Sequence, residues 1–226
     1  MSATARGTLD NVPLAGALAQ RYASVRERSV ALIAPLSSED ACAQSMPDAS
    51  PSKWHLAHVT WFFETFVLEA HEPQYKPFRP EFRELFNSYY NGIGKQFPRA
   101  MRGLLTRPPL ADVLAYRADV DRRMARLLER AVPASLQQIE LGLAHEEQHQ
   151  ELLLMDIKHL LSLNPLNPVY REVSQSPPAQ ASPLEWITHE AGIVEIGHPS
   201  SGAINPTMTP STKNTNSTNT SGAVRS

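Results

Sequence analysis

Two histidines, His145 and His149, stand four residues apart in the run His145-Glu146-Glu147-Gln148-His149-Gln150-Glu151. The pattern from Pro133 to Leu163 predicts one long helix around them. Residues four apart on a helix point the same way, one turn above the other, so both imidazoles can grip one metal ion. Leu141, Gln148, Leu152 and Met155 are their neighbours at helical spacing, which puts the pair on or beside the apolar seam. Imidazole nitrogens turned inward are costly unless something there uses them. Two ordinary polar residues on a half-exposed face would have the same spacing. The run also satisfies His-Glu-x-x-His, with Glu146 as the base of a zinc peptidase. The longer zincin pattern fails, because Leu152 stands where a glycine belongs and Met155 where a third histidine belongs. Glu172 is a further carboxylate, but it lies past the helix in a proline-rich stretch.

A third nitrogen ligand comes from an earlier segment. Residues 50–66 predict a helix starting near Ser52, with Ser50-Pro51 or Ser52 as its start signal. Trp54, His58, Trp61, Phe62 and Thr65 share one face, so His58 sits between two tryptophans on the inward side. Bundles build metal sites from side chains on facing helices. His58, His145 and His149 would then form a three-histidine facial set with open positions for substrate and water or dioxygen. Such a set suits Fe(II), Zn(II), Ni(II) or Cu(II). The ordinary alternative for His58 is an interior histidine bonded to a carbonyl. His55 is the main competitor for its role, and His159 a lesser one. Gln148 suits a contact to a ligand or substrate, or is a plain surface glutamine. Arg99 and Arg102 lie in a glycine-flanked stretch, and their forked guanidinium groups suit a small acidic substrate. Two solvated loop arginines would look the same. Tyr89-Tyr90 reads as packing, with pocket lining as the alternative, and Cys42 is assigned no role.

The elements that position these groups follow from periodicity. A first helix is expected over Pro13–Leu36, with Leu14, Leu18, Tyr22, Val25, Ser29 and Leu32 inward and Arg21, Arg26 and Glu27 on the surface. Ser38–Pro51 reads as a polar connector. His71–Thr106 is a long aromatic stretch with a short helix over Pro80–Asn91, ended by Gly92; its length and composition mark a functional loop. Pro108–Arg130 is the third long helix. The fold class expected is all-α, a four-helix bundle over residues 10–163. A proline-rich linker (164–183), short strand signals in 184–198 and an Asn/Thr/Ser-rich, disordered tail (202–226) are expected after it.

Composition narrows the setting. The 226 residues carry a formal net charge of −2, which offers no broad basic surface for nucleic acid. With one cysteine no disulfide can form within the chain, as suits the cytoplasm. Residues 1–11 lack the apolar core of a signal peptide, and no apolar run approaches a membrane span.

Four blocks, Ser50–Phe66, Leu85–Tyr90, Pro98–Pro108 and Gly142–His159, closely resemble the N-terminal, DinB-like domain of the sulfoxide synthase of ergothioneine biosynthesis (the EgtB family, hercynine oxygenases). The resemblance covers about residues 10 to 198. It implies a DinB-like bundle in a non-haem Fe(II) enzyme that uses O2 to join hercynine, a trimethylated histidine, to cysteine or γ-glutamylcysteine as a sulfoxide. It implies His58, His145 and His149 as iron ligands, Gln148 as a hercynine contact, and Arg99 and Arg102 where some members bind the thiol's carboxylates. Ovothiol-pathway synthases share the ligand pattern and match less closely. In the family a formylglycine-generating-enzyme-like domain follows and supplies a catalytic tyrosine. Residues 184–201 look like its start, after which the tail begins. A truncated chain is therefore expected, its missing part supplied by a separate chain if activity is kept. A zinc hydrolase using His145, His149 and Glu146, and a non-catalytic metal-binding or interaction bundle, are the competing readings.

Overall fold

α7 (Pro133–Ser162) is one unbroken helix with Pro133 in its first turn, where a missing N–H costs nothing. Its buried stripe runs Leu136, Ile139, Leu143, Glu146, Leu153 and Ile157, the three–four spacing of a core-facing helix. The centre of that stripe is a carboxylate, and His145 and His149 flank it, each half-buried. Leu141 and Leu152 are half-buried as well. Met155, expected on the seam, is 64% exposed, because at ten residues from His145 the helix has turned it to the outer face.

The computed structural model describes residues 11–130, 132–172, 183–188 and 192–193. All regular structure among them is helical. Before α7 come α1 (Asn11–Ile33), α2 (Ser38–Cys42), α3 (Ser52–Phe63), α4 (Glu69–His71), α5 (Phe82–Leu85) and α6 (Leu110–Glu129). A π-helical segment, Glu64–Leu68, runs α3 into α4, and a 3₁₀ segment, Arg99–Leu104, precedes α6. The four-helix bundle is α1, α3, α6 and α7. α3 is its axis: every residue from Ser52 to Phe63 is buried, and it packs on α1, α6 and α7. No described helix is long and apolar enough to cross a membrane.

Three further expectations need correction here. Ser38–Pro51 is not all connector, since Ser37 and Asp40 form a reciprocal capping box that starts α2. The helix expected over Pro80–Asn91 stops at Leu85. Phe86 leaves helical geometry, and Tyr89 adopts φ 62°, because the segment spends its polar groups on tertiary partners instead. Arg26, expected at the surface, is 3% exposed. Its guanidinium reaches Glu146 at 2.9 Å, Asp121 at 2.6 Å and Thr60 at 3.1 Å.

That arginine belongs to a charged core shared by α1, α3, α6 and α7. Arg117, 2% exposed, binds Glu146 and donates to the Arg26 carbonyl at 2.7 Å. Asp121 also accepts from the Tyr22 hydroxyl at 2.7 Å. Two arginines thus face two carboxylates, so the buried cluster is close to neutral, the condition for tolerating charge inside a protein.

After α7 the chain turns back over α1. The Tyr170 hydroxyl and the Arg171 guanidinium donate to the carbonyls of Leu32 and Ala31, which the end of a helix leaves without partners. The chain divides into two units, Met1–Gln180 and Ala181–Ser226. Within the second, residues 183–188 and 192–193 carry neither helix nor strand. The rest of the expected strand region, most of the linker and the whole 202–226 tail lie outside the described residues.

Candidate metal centre

His58, from the middle of α3, meets His145 and His149 across the α3–α7 contact. One ring nitrogen of each lies within 4.8 Å of the others, near enough for one ion bonded at about 2 Å to each after small side-chain adjustment. His58 Nε2 and His145 Nε2 are 3.2 Å apart. His58 Nδ1 donates to the Phe86 carbonyl at 2.6 Å, so its proton sits there and Nε2 keeps a lone pair for the centre. Trp54 and Trp61 stack on either side of His58, at 4.7 Å and 5.6 Å between centroids. Phe62 lies against His145 at 4.8 Å. His58 is buried, while the two α7 histidines are half-buried, so the cluster is deepest on its α3 side and nearer the surface on its α7 side.

Gly142 sets the closeness of that contact. A Cβ there would come within 2.6 Å of the Phe63 ring and 3.0 Å of the Phe62 ring. The glycine lies one turn before His145, on the same face, and its missing side chain lets α7 approach α3.

Electrostatics keep the three imidazoles neutral. Burial is the leading cause for each, pushing the pKa below the usual 6.5. His145 comes down to about 4, even though the nearby Glu146 charge opposes the shift. His145 lowers His58 further, and His58 and His55 lower His149. Neutral imidazoles are the ligating form, and a trio of nitrogen donors with no proton to displace fits a divalent cation of the imidazole-preferring class.

Glu146 belongs to another place. It is fully buried, and its oxygens are taken by Arg26 (2.9 Å), Arg117 and the Ser29 hydroxyl (2.6 Å). Burial alone would raise its pKa; the two guanidinium groups overcome that and hold it below the ordinary carboxylate range. A carboxylate so committed has no free lone pair aimed at the histidines, and the zinc-peptidase assignment of Glu146 as base fails on geometry.

The match to known families covers the same helices. The model of the DinB superfamily matches residues 21–160, more than half of the chain. The chain belongs to the DinB superfamily. No curated protein matches it closely.

The other predicted residues of this DinB domain divide sharply. Arg102 is buried beside the centre: its guanidinium lies 3.4 Å over the Trp54 ring, on the indole that also stacks on His58. It donates to Ser50 Oγ and Ser88 Oγ, each at 3.0 Å. Among the described residues it has no carboxylate partner, and its buried Nε has no hydrogen-bond partner. Burial, and then the Arg99 charge, pull its pKa down to about 10. Arg99 is exposed and donates to the Tyr89 hydroxyl at 2.7 Å and to the Asp48 carbonyl. Tyr89 is 72% exposed, so of its two readings the packing one does not hold. Tyr90 does pack, on Trp61, Phe62 and Phe66. Gln148, expected on the inner side, is exposed on α7, since one position from His149 is a rotation of about 100°. His159 is not in the cluster; it pairs with Ser45 at 2.8 Å. Glu172 is exposed.

Sequence reasoning did not single out the Phe86–Ser88 run as machinery. Phe86 lends its carbonyl to His58, and Ser88 its hydroxyl to Arg102. Between them Asn87 Nδ2 reaches the carbonyls of Tyr90, Gly94 and Lys95, each at 3.2 Å, and so folds the loop. Asp156 also went unnoticed. The available signal was its place seven residues after His149, two turns along the same face.

Proposed function

We propose that this chain is the iron-binding part of a non-haem Fe(II), O2-dependent sulfoxide synthase that joins hercynine to a cysteine-containing thiol. The observation that carries the reading is the convergence of His58, His145 and His149 in a DinB bundle. Two of the blocks that resemble the synthase, Leu85–Tyr90 and Pro98–Pro108, supply the Phe86 carbonyl bonded to His58 and the Arg102 guanidinium over Trp54, both beside that cluster. Fe(II), when bound, supplies the redox chemistry with O2 that carbon–sulfur bond formation and sulfur oxidation require. The chain's own part is to hold and orient. Three neutral imidazoles from two helices leave the remaining coordination positions to exogenous groups. Trp54, Trp61 and Phe62 exclude water from one side. Arg102, without an anionic partner among the described residues, supports a carboxylate-bearing substrate, cysteine or γ-glutamylcysteine, with Arg99 at the rim. Gln148, exposed beside His149, is the proposed hercynine contact.

Anaerobic Fe(II) titration of the chain, and of His58→Ala, His145→Ala and His149→Ala, tests the centre. One ion per chain is expected, with binding lost in each variant. Binding that survives the loss of His58 and of His145 rejects the centre. Mass spectrometry of the Fe(II)-loaded chain with hercynine, thiol and O2 then tests the chemistry. Iron binding without the sulfoxide product would keep the centre and remove the synthase activity from this chain acting alone.

A further inference from the structure

His55 is buried on α3, three residues before His58, yet it is not one of the three converging histidines. Both its ring nitrogens are used. Nδ1 lies 2.9 Å from His149 Nδ1, and Nε2 lies 3.0 Å from Asp156 Oδ2. The same Asp156 oxygen accepts the Ser50 backbone N–H at 2.8 Å, and Ser50 Oγ in turn accepts from Arg102.

With both imidazoles neutral, the protons in this chain of contacts have one consistent arrangement. An ionised carboxylate only accepts, so His55 Nε2 must donate to Asp156. A neutral His55 then carries a lone pair on Nδ1, which accepts from His149 Nδ1–H. His149 is left with its lone pair on Nε2, the nitrogen free for an ion. The opposite tautomer of His149 would set two lone pairs against each other at 2.9 Å. Imidazole ligands are commonly fixed by a carboxylate or carbonyl on their far nitrogen; here the carboxylate acts through a second imidazole. His58 is fixed by the Phe86 carbonyl, while His145 Nδ1 is buried with no partner among the described residues.

We propose that Asp156 and His55 are positioning residues that hold His149 as its Nδ1–H tautomer, with Nε2 presented to the metal. The proposal rests on the metal-centre reading above. Through Ser50, the same relay connects this ligand to Arg102.

Long-range ¹H–¹⁵N NMR of the histidine-labelled full chain at neutral pH reads the tautomer of each ring without any metal. His149 is expected as Nδ1–H and His55 as Nε2–H. Co(II) titration, followed by its visible absorption, gives the second readout. His55→Leu should shift His149 away from the Nδ1–H form, weaken Co(II) binding by roughly 10- to 100-fold and alter the Co(II) bands. His55→Gln should restore the tautomer and hold affinity near the wild type, because an amide oxygen can accept from His149 while its NH2 donates to Asp156. His149 found as Nε2–H in the unaltered chain overturns the relay, as does an unchanged Co(II) spectrum and affinity in His55→Leu. A wild-type chain that takes up no Co(II) sinks the metal centre itself, a different failure from a wrong tautomer in a chain that binds the ion.

Discussion

His58 lies third in a column of four flat groups: the Arg102 guanidinium, Trp54, His58 and Trp61. The column removes the imidazole faces from water, and desolvation favours the neutral ring. The same logic governs His145 and His149 and gives a prediction with a definite sign. Their pKa values are near 6.5 when unfolded and lower when folded, with His145 near 4. Between those values the unfolded chain binds more protons, so stability must fall as pH falls. For His145 alone the loss at about pH 5 should be roughly 1–2 kcal/mol, allowing for screening at its exposed edge. Urea midpoints of the metal-free chain should decline from pH 7 to about pH 5, and His145→Gln should flatten the decline. An equal decline in that variant would mean that His145 does not carry the effect.

At the scale of elements, the site depends on how α7 meets its neighbours. Gly142→Ala should improve helix propensity by up to about 1 kcal/mol, yet its Cβ would enter the Phe63 ring. Overpacking commonly costs about 1–3 kcal/mol, so the variant should be net destabilised and bind metal more weakly. A more stable Gly142→Ala with unchanged affinity would show that α7 can recede without disturbing the centre. Glu146→Gln separates structure from chemistry. It leaves Arg26 and Arg117 buried against a neutral amide, and removing one partner of a buried pair typically costs about 3–5 kcal/mol. Urea unfolding should show that loss, while metal affinity measured on the folded fraction stays within a few-fold of wild type. The sequence made the histidines legible because helical spacing is local: four residues on α7, and an imidazole between two indoles on α3. Glu146 was not legible in its true role. One residue past His145 the helix turns it into the core, and its partners arrive from α1 and α6, far away in sequence. The same holds for Arg26, whose charge alone argued for the surface. The Pro80–Asn91 region looked helical because its apolar spacing is local, whereas the demands of His58 and Arg102 on its backbone and hydroxyls are not.

At the scale of the molecule, one ligand from α3 and two from α7 would make a bound ion a cross-link between the two helices that build the site. An ion that binds only the folded chain stabilises it by mass action, by about 2.7 kcal/mol at a hundred-fold excess over Kd. For a chain of this size, 1 kcal/mol corresponds to roughly 2–4 °C in Tm, so saturating Co(II) should raise Tm by roughly 5–10 °C and a chelator should reverse it. His58→Ala is the informative variant. Two histidines four apart on α7 could retain weak affinity alone, but that ion would brace one helix against its own fraying and leave the α3–α7 contact untouched. The Tm rise should therefore collapse in His58→Ala even at Co(II) concentrations that still load the α7 pair. A rise of the same size in His58→Ala would mean that the ion is held by α7 alone, and that His58 is an interior histidine whose carbonyl bond to Phe86 is its whole purpose.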